Sequence, residues 1–300
     1  MKIIRSMLFL PGNKPNILIH GDELLADAII FDLEDSVSIS EKDAARILVR
    51  NMIKDYRPIS SEIIVRVNAI ETEFFKKDLR EIIPLKPFMI MPPKVSSKEM
   101  VNDIDAQISE IEKETNIEVG STNLICLLET AKGIENAYEI ATASKRVKAL
   151  FLGGEDLTSD LECKRTKEGN EIDYARKRIV LAAKAASVFV YDTPFTDVND
   201  DEGIIQDAKY AASLGFSGKS SIAPRHIPFI NEVFSPTIEE IKYAYDVLNI
   251  IEEAKKKGQG VVALNGKMID APVVSRAKKV ISMAESIGLN KNIINDSEGL

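Results

Sequence analysis

Two acids stand at the ends of apolar runs: Glu129 in Leu124–Thr130 (LICLLET) and Asp156 in Ala149–Leu157 (ALFLGGEDL). Carboxylate oxygens suit a hard cation. Mg²⁺ binds through one or two protein carboxylates, keeps several waters and leaves positions for a substrate's own oxygens. The pair is therefore a candidate Mg²⁺ site, and the competing reading makes either acid the N-cap of the helix after its strand. Arg66, inside VRVN, adds a charge that cannot be lost and a fork able to grip a carboxylate or offset a developing oxyanion. Its alternative is a buried ion pair with an acid on a neighbouring strand. Asp270, in NGKMIDAP, stands two residues before Pro272 and reads as the cap of the helix that this proline opens.

For such residues to meet, strands must deliver them to one face. Apolar runs recur roughly every 30 residues, alternating with segments of helical periodicity, which is the pattern of a parallel sheet. They are Ser6–Leu10, Ala28–Leu33, Ile63–Val67, Phe88–Met91, Leu124–Leu128, Ala149–Leu152, Val188–Tyr191 and Phe216–Ile222. Eight βα repeats predict an α/β fold, a closed (β/α)₈ TIM barrel rather than an open doubly wound sheet. The carboxyl ends of barrel strands converge on the face that carries chemistry. Just past the strands lie Glu34, Asp35, Arg66, Asn68, Lys94, Glu129, Glu155, Asp156, Asp192 and Lys219, and their density predicts a site there. His20 and His226 have no Ser or Cys at motif spacing, so no catalytic histidine is expected.

Among the helical segments, Ser40–Asp43 resembles a capping box with Asp in place of Glu. Asp173–Ala186 reads as a packing helix with Arg176, Lys177 and Arg178 off its apolar stripe, and the charge runs Glu110–Glu114 and Lys255–Lys257 read as solvated faces. After residue 235 the pattern changes to a long helix Pro236–Lys257, a glycine break Gly258–Gly260, a short strand Val261–Leu264 and a terminal helix Pro272–Ile287. This divides the chain into a barrel domain, 1–235, and a C-terminal helical extension, 236–300, acting as a lid or an oligomerisation arm.

The 300 residues carry a formal net charge of −8, which argues against nucleic acid and anionic membranes as partners. No run approaches the roughly 20 apolar residues of a membrane span, and the apolar stretch of MKIIRSMLFLPG is too short for a signal peptide. Cys126 and Cys163 show neither disulfide nor zinc spacing. A cytoplasmic protein that binds small molecules or other proteins is expected.

The ordered motifs SMLFLPGN, DAIIFDLEDSV, VRVN, LLET, GGEDLTSD, GKSSIAPRHI and ALNGKMIDAP resemble the HpcH/HpaI aldolase family, which includes the citrate lyase β-subunits, over about residues 3 to 285. The resemblance implies a (β/α)₈ barrel with a C-terminal extension and a Mg²⁺-dependent carbon–carbon lyase acting on a hydroxy-acyl thioester. It implies Glu129 and Asp156 as metal ligands, Glu129 also beside the substrate, and Arg66 holding the oxo-acid product. Asp270 becomes an acid/base residue of a lid, acting within its own or a neighbouring subunit. The first expectation is cleavage of a citryl thioester, carried by acyl carrier protein or coenzyme A, to oxaloacetate and an acetyl thioester. Malyl- or citramalyl-CoA lyase or thioesterase activity is the alternative within the family, and a non-catalytic subunit of a larger complex the alternative outside it. A homo-oligomer, often a trimer, docked to other citrate lyase subunits is also implied.

Overall fold

The computed structural model describes residues 2–56, 58, 60–256, 262–264 and 266–289. Eight parallel strands close into one barrel in sequence order: β1 Ser6–Pro11, β2 Ala28–Asp32, β3 Glu62–Arg66, β4 Met89–Met91, β5 Leu124–Leu128, β6 Val147–Leu152, β7 Phe189–Asp192 and β8 Gly218–Ser221. Closure is made by β1 on β8, with Ser6 opposite Lys219 and Leu8 opposite Ser221. The expected barrel is present.

Side chains on a strand alternate between its two faces, and the two cores follow that alternation. Ala28 and Ile30 of β2, Ile64 of β3, Ile125 and Leu127 of β5, and Ala149 and Phe151 of β6 fill the barrel interior. Ile29 and Phe31, Ile63 and Val65, Cys126 and Leu128, and Leu150 and Leu152 point outward into the layer between sheet and helices. Burial on both faces explains why these strands read as continuous apolar runs. Extending the inward parity by one step reaches Asp32, Arg66, Glu129 and Gly153 at the carboxyl-terminal rim.

Several local expectations need correction. The start of the helix Lys42–Asp55 makes no capping box, because a 3₁₀ turn over Ile39–Glu41 precedes it and Asp43 pairs with Arg46 at 2.6 Å. Arg176 is not a surface residue of Asp173–Ala186: it is 1% exposed and donates to Asp192 Oδ1 and Oδ2 at 3.0 and 2.9 Å, and to Asp207 at 2.7 Å. Glu112, inside the supposedly solvated run, is fully buried against Arg146, whose Nη1 and Nη2 reach it at 2.9 and 2.6 Å. For Arg176 and Glu112 a partner distant in sequence turns the charged side chain inward.

Ile4–Phe234 forms one compact unit, and the described residues from Ser235 to Leu289, with Lys2 and Ile3, form another. The second holds the helix Ile238–Lys256, an antiparallel pair of short strands, β9 Val262–Leu264 and β10 Lys267–Ile269, and the helix Ala271–Ser286. Its own small core joins Ala244, Val247, Ile269, Ala277 and Ile281. The glycine break at Gly258–Gly260, with Lys257 and Val261, lies outside the described residues. Among the described residues no helix is long and apolar enough to cross a membrane.

Candidate active site

A cavity of about 550 Å³ opens at the carboxyl-terminal rim of the barrel, bounded by Phe9, Arg66, Glu129, Asp156 and Pro194 among others. Arg66 and Asp32 occupy the last register position of adjacent strands. Their side chains therefore stand side by side. Arg66 Nε donates to Asp32 Oδ1 and Nη2 to Asp32 Oδ2, both at 2.7 Å, while Phe9 lies under the guanidinium, 5.2 Å from ring centroid to Cζ. Burial alone would raise the Asp32 carboxyl, but the charge and hydrogen bonds of Arg66 outweigh it and hold Asp32 below the usual range. The same partners keep Arg66 charged despite its burial.

The neighbouring-strand ion pair is thus real, and it uses the fork on the Nε side. Arg66 Nη1 lies 3.1 Å from Glu34 Oε2 and 3.2 Å from Asp35 Oδ2, and Arg66 and Asp35 both line the cavity. Glu34 Oε2 accepts no hydrogen bond in this geometry. Asp35 is half exposed and thus free to give way to another carboxylate.

Glu129 follows β5 and does not cap the next helix, since Thr130 does so by accepting from Gly133 N–H at 3.1 Å. The Glu129 side chain is instead 3% exposed, with Oε1 accepting the Lys94 backbone N–H at 2.9 Å. A Cβ on residue 153 would fall 2.6 Å from Glu129 Oε2, so only glycine there leaves space for this carboxylate. Burial, then the like charges of Glu34 and Asp156, push Glu129 up to about 8, against a smaller lowering by Arg66 and the Lys94 N–H. Glu34 is raised as well, chiefly by burial.

Asp156 sits in the first turn of the helix Gly154–Asp160, where the helix dipole favours its negative charge, and its Oδ2 is 3.5 Å from Lys94 Nζ. The same ammonium is 3.1 Å from Glu34 Oε1. Among the described residues no cluster of three or more His, Cys, Asp or Glu side chains is arranged as ligands. A cation held here would thus rest on few protein oxygens and complete its shell from water and substrate. A buried Glu129, a second carboxylate close enough to raise it and the gap kept by Gly153 fit a hard divalent ion.

Three of the predicted barrel residues, Asp192, Lys219 and Asn68, do not join this site. Asp192 and Lys219 are fully buried and point outward, away from the cavity: Lys219 Nζ bonds Asp192 Oδ2 at 2.6 Å beside Arg176 and Asp207. Asn68 is buried and bonds Asp78 at 2.7 Å. Asp270 belongs to the C-terminal unit and caps the helix Ala271–Ser286, accepting from Val273 N–H at 3.0 Å. Conversely, three contributors were not singled out: Asp32, Gly153 and Lys42. The Lys42 ammonium bonds the Leu33 and Glu34 carbonyls at 2.8 and 2.6 Å, fixing the loop that presents Glu34 and Asp35.

A family model described as HpcH/HpaI aldolase/citrate lyase matches residues 5–224. Citrate lyase subunit beta of Leuconostoc mesenteroides subsp. cremoris is 42% identical over 298 residues, covering 99% of this chain and 97% of that one. The crystal structure of protein CitE from Mycobacterium tuberculosis in complex with magnesium, acetoacetate and coenzyme A superposes with a TM-score of 0.74 at 30% identity, covering 94% of this chain and 98% of that one. A citrate lyase beta subunit from the same organism, complexed with oxaloacetate and magnesium, gives 0.66 at 29% identity over 78% of this chain and 98% of that one. With the barrel, the rim carboxylates and this near full-length likeness in agreement, the chain belongs to the HpcH/HpaI aldolase/citrate lyase family.

Proposed function

We propose that the protein is a Mg²⁺-dependent carbon–carbon lyase that cleaves a citryl thioester to oxaloacetate and an acetyl thioester, as a citrate lyase β-subunit does. The supporting likeness is the beta subunit at 42% identity along nearly its whole length, together with relatives whose structures hold magnesium with oxaloacetate or with coenzyme A. The observation that carries the reading is geometric: Glu129 and Asp156 both line the rim cavity, and Gly153 leaves room beside the Glu129 carboxylate.

In this reading Glu129 and Asp156 would hold Mg²⁺, which would supply Lewis acidity to the reacting head of the substrate. Arg66 presents Nη1 to the oxo-acid carboxylate in place of Asp35, while Asp32 and Phe9 keep the guanidinium from turning. Cleavage removes the proton of the tertiary hydroxyl, breaks the adjacent C–C bond and leaves the electron pair on the acetyl fragment, which takes a proton at carbon; nothing is oxidised or reduced. Asp270 enters by resemblance as the carboxylate that moves this proton, a role typically worth about 10²–10⁴-fold. Apolar walls, Phe9 and Phe151 in edge contact at 5.8 Å, limit water around the reacting head. The domain reading, a barrel domain with a C-terminal lid, a homo-oligomeric assembly with other citrate lyase subunits, an acyl carrier protein or coenzyme A carrier and a cytoplasmic location belong to the same proposal.

The test offers citryl-, malyl- and citramalyl-CoA with Mg²⁺ and measures release of oxaloacetate, glyoxylate and pyruvate. Oxaloacetate from the citryl thioester is expected. Release of glyoxylate or pyruvate alone would move the assignment to a malyl- or citramalyl-thioester enzyme, and no turnover of any, with or without acyl carrier protein, would make the chain non-catalytic.

A further inference from the structure

Lys94 touches three carboxylates in two different ways. Its backbone is in the left-handed region, φ 55°, which non-glycine residues seldom adopt, and there its N–H points at Glu129 Oε1, 2.9 Å away. From the same residue the ammonium lies 3.1 Å from Glu34 Oε1 and 3.5 Å from Asp156 Oδ2, with Asp35 adding attraction from further off. The ammonium therefore sits among the acids that the proposed metal would join.

Lys94 is suited to leave as Arg66 is not. Arg66 is locked by a two-bond fork to a buried partner and by the ring beneath it. The Lys94 side chain is 42% exposed, its contact with Asp156 is long, and its four-carbon stem carries a compact, easily hydrated charge. Solvent is open to it.

We propose that Lys94 is a resident counter-cation of this cluster: its ammonium balances Glu34 and Asp156 in the metal-free protein and withdraws from Asp156 when a divalent ion binds, so that Lys94 sets how tightly the site holds metal. This rests on the reading of Glu129 and Asp156 as the metal ligands. Two cations that compete for one cluster weaken each other reciprocally, and such couplings commonly span about 5–150-fold.

The test is a Mn²⁺ titration of the full chain, followed by electron paramagnetic resonance of the free ion, on the wild type, Lys94→Met, Lys94→Asn and Glu129→Gln. Asn tolerates the left-handed backbone, so it serves if Met does not fold. The Lys94 variants are expected to bind Mn²⁺ about tenfold tighter, within the range of such couplings, and Glu129→Gln to lose binding. Unchanged or weaker binding in the Lys94 variants with loss in Glu129→Gln overturns the counter-cation role and leaves the metal site standing. Wild-type binding in Glu129→Gln overturns the metal site itself.

Discussion

Asp32 and Arg66 meet at the top of adjacent strands through two parallel hydrogen bonds of 2.7 Å, with Asp32 only 2% exposed. The arginine that faces the cavity is thus also half of a buried ion pair. Removing one member strands the other in the barrel. Arg66→Ala is expected to lower unfolding free energy by about 3–5 kcal/mol, measured by urea denaturation, and to abolish turnover. Arg66→Lys keeps the charge but loses the fork and is expected to fold, with kcat/KM reduced on the order of 10²–10³-fold. Near wild-type kcat/KM in Arg66→Lys would remove Arg66 from substrate orientation.

Glu129 couples metal to protons. Its carboxyl is raised from 4.5 to about 8, so the folded, metal-free protein holds the proton more tightly than the unfolded chain does. Its contribution to stability is present below about pH 4.5 and is lost as pH rises through about 8. Metal requires the ionised form. Binding at pH 7 is therefore expected to release close to one proton, read from calorimetric titrations in buffers of different ionisation enthalpy. Heats independent of buffer would contradict a protonated Glu129 in the metal-free site.

Gly153 makes room for that carboxylate, since a Cβ would stand 2.6 Å from Oε2 and 2.7 Å from the Glu129 Cβ. Gly153→Ala is expected to cost about 1–3 kcal/mol of stability and to weaken metal binding markedly in the folded protein. Thermal melts and a Mg²⁺ titration check both halves. Retained affinity would show that Glu129 is not needed where it lies.

The buried pair of Arg146 and Glu112 provides a contrast, because neither residue lines the rim cavity. Arg146→Met is expected to destabilise by about 3–5 kcal/mol and to leave kcat of the folded fraction unchanged. A large fall in kcat at a temperature where the variant is folded would tie this cluster to the site.

The barrel was legible because strands buried on both faces advertise themselves as apolar runs, and all eight expected runs overlap observed strands. Glu129, Asp156 and Arg66 were legible because each stands at such a run's end. Strand parity sorts the remaining acids. Asp32 shares the inward parity of Ala28 and Ile30 and reaches the site, whereas Asp192 follows inward-facing Tyr191, points outward and pairs with Arg176 and Lys219. The destinations of Arg176 and Glu112 depend on partners 16 to 34 residues away, and no local periodicity carries that information.

The most direct test is a crystal of the full chain soaked in Mn²⁺ and measured at the manganese absorption edge. A single anomalous peak within about 2.0–2.3 Å of oxygens of both Glu129 and Asp156 is the predicted result. A peak on other residues, or none at saturating Mn²⁺, would contradict a metal site built from these two carboxylates.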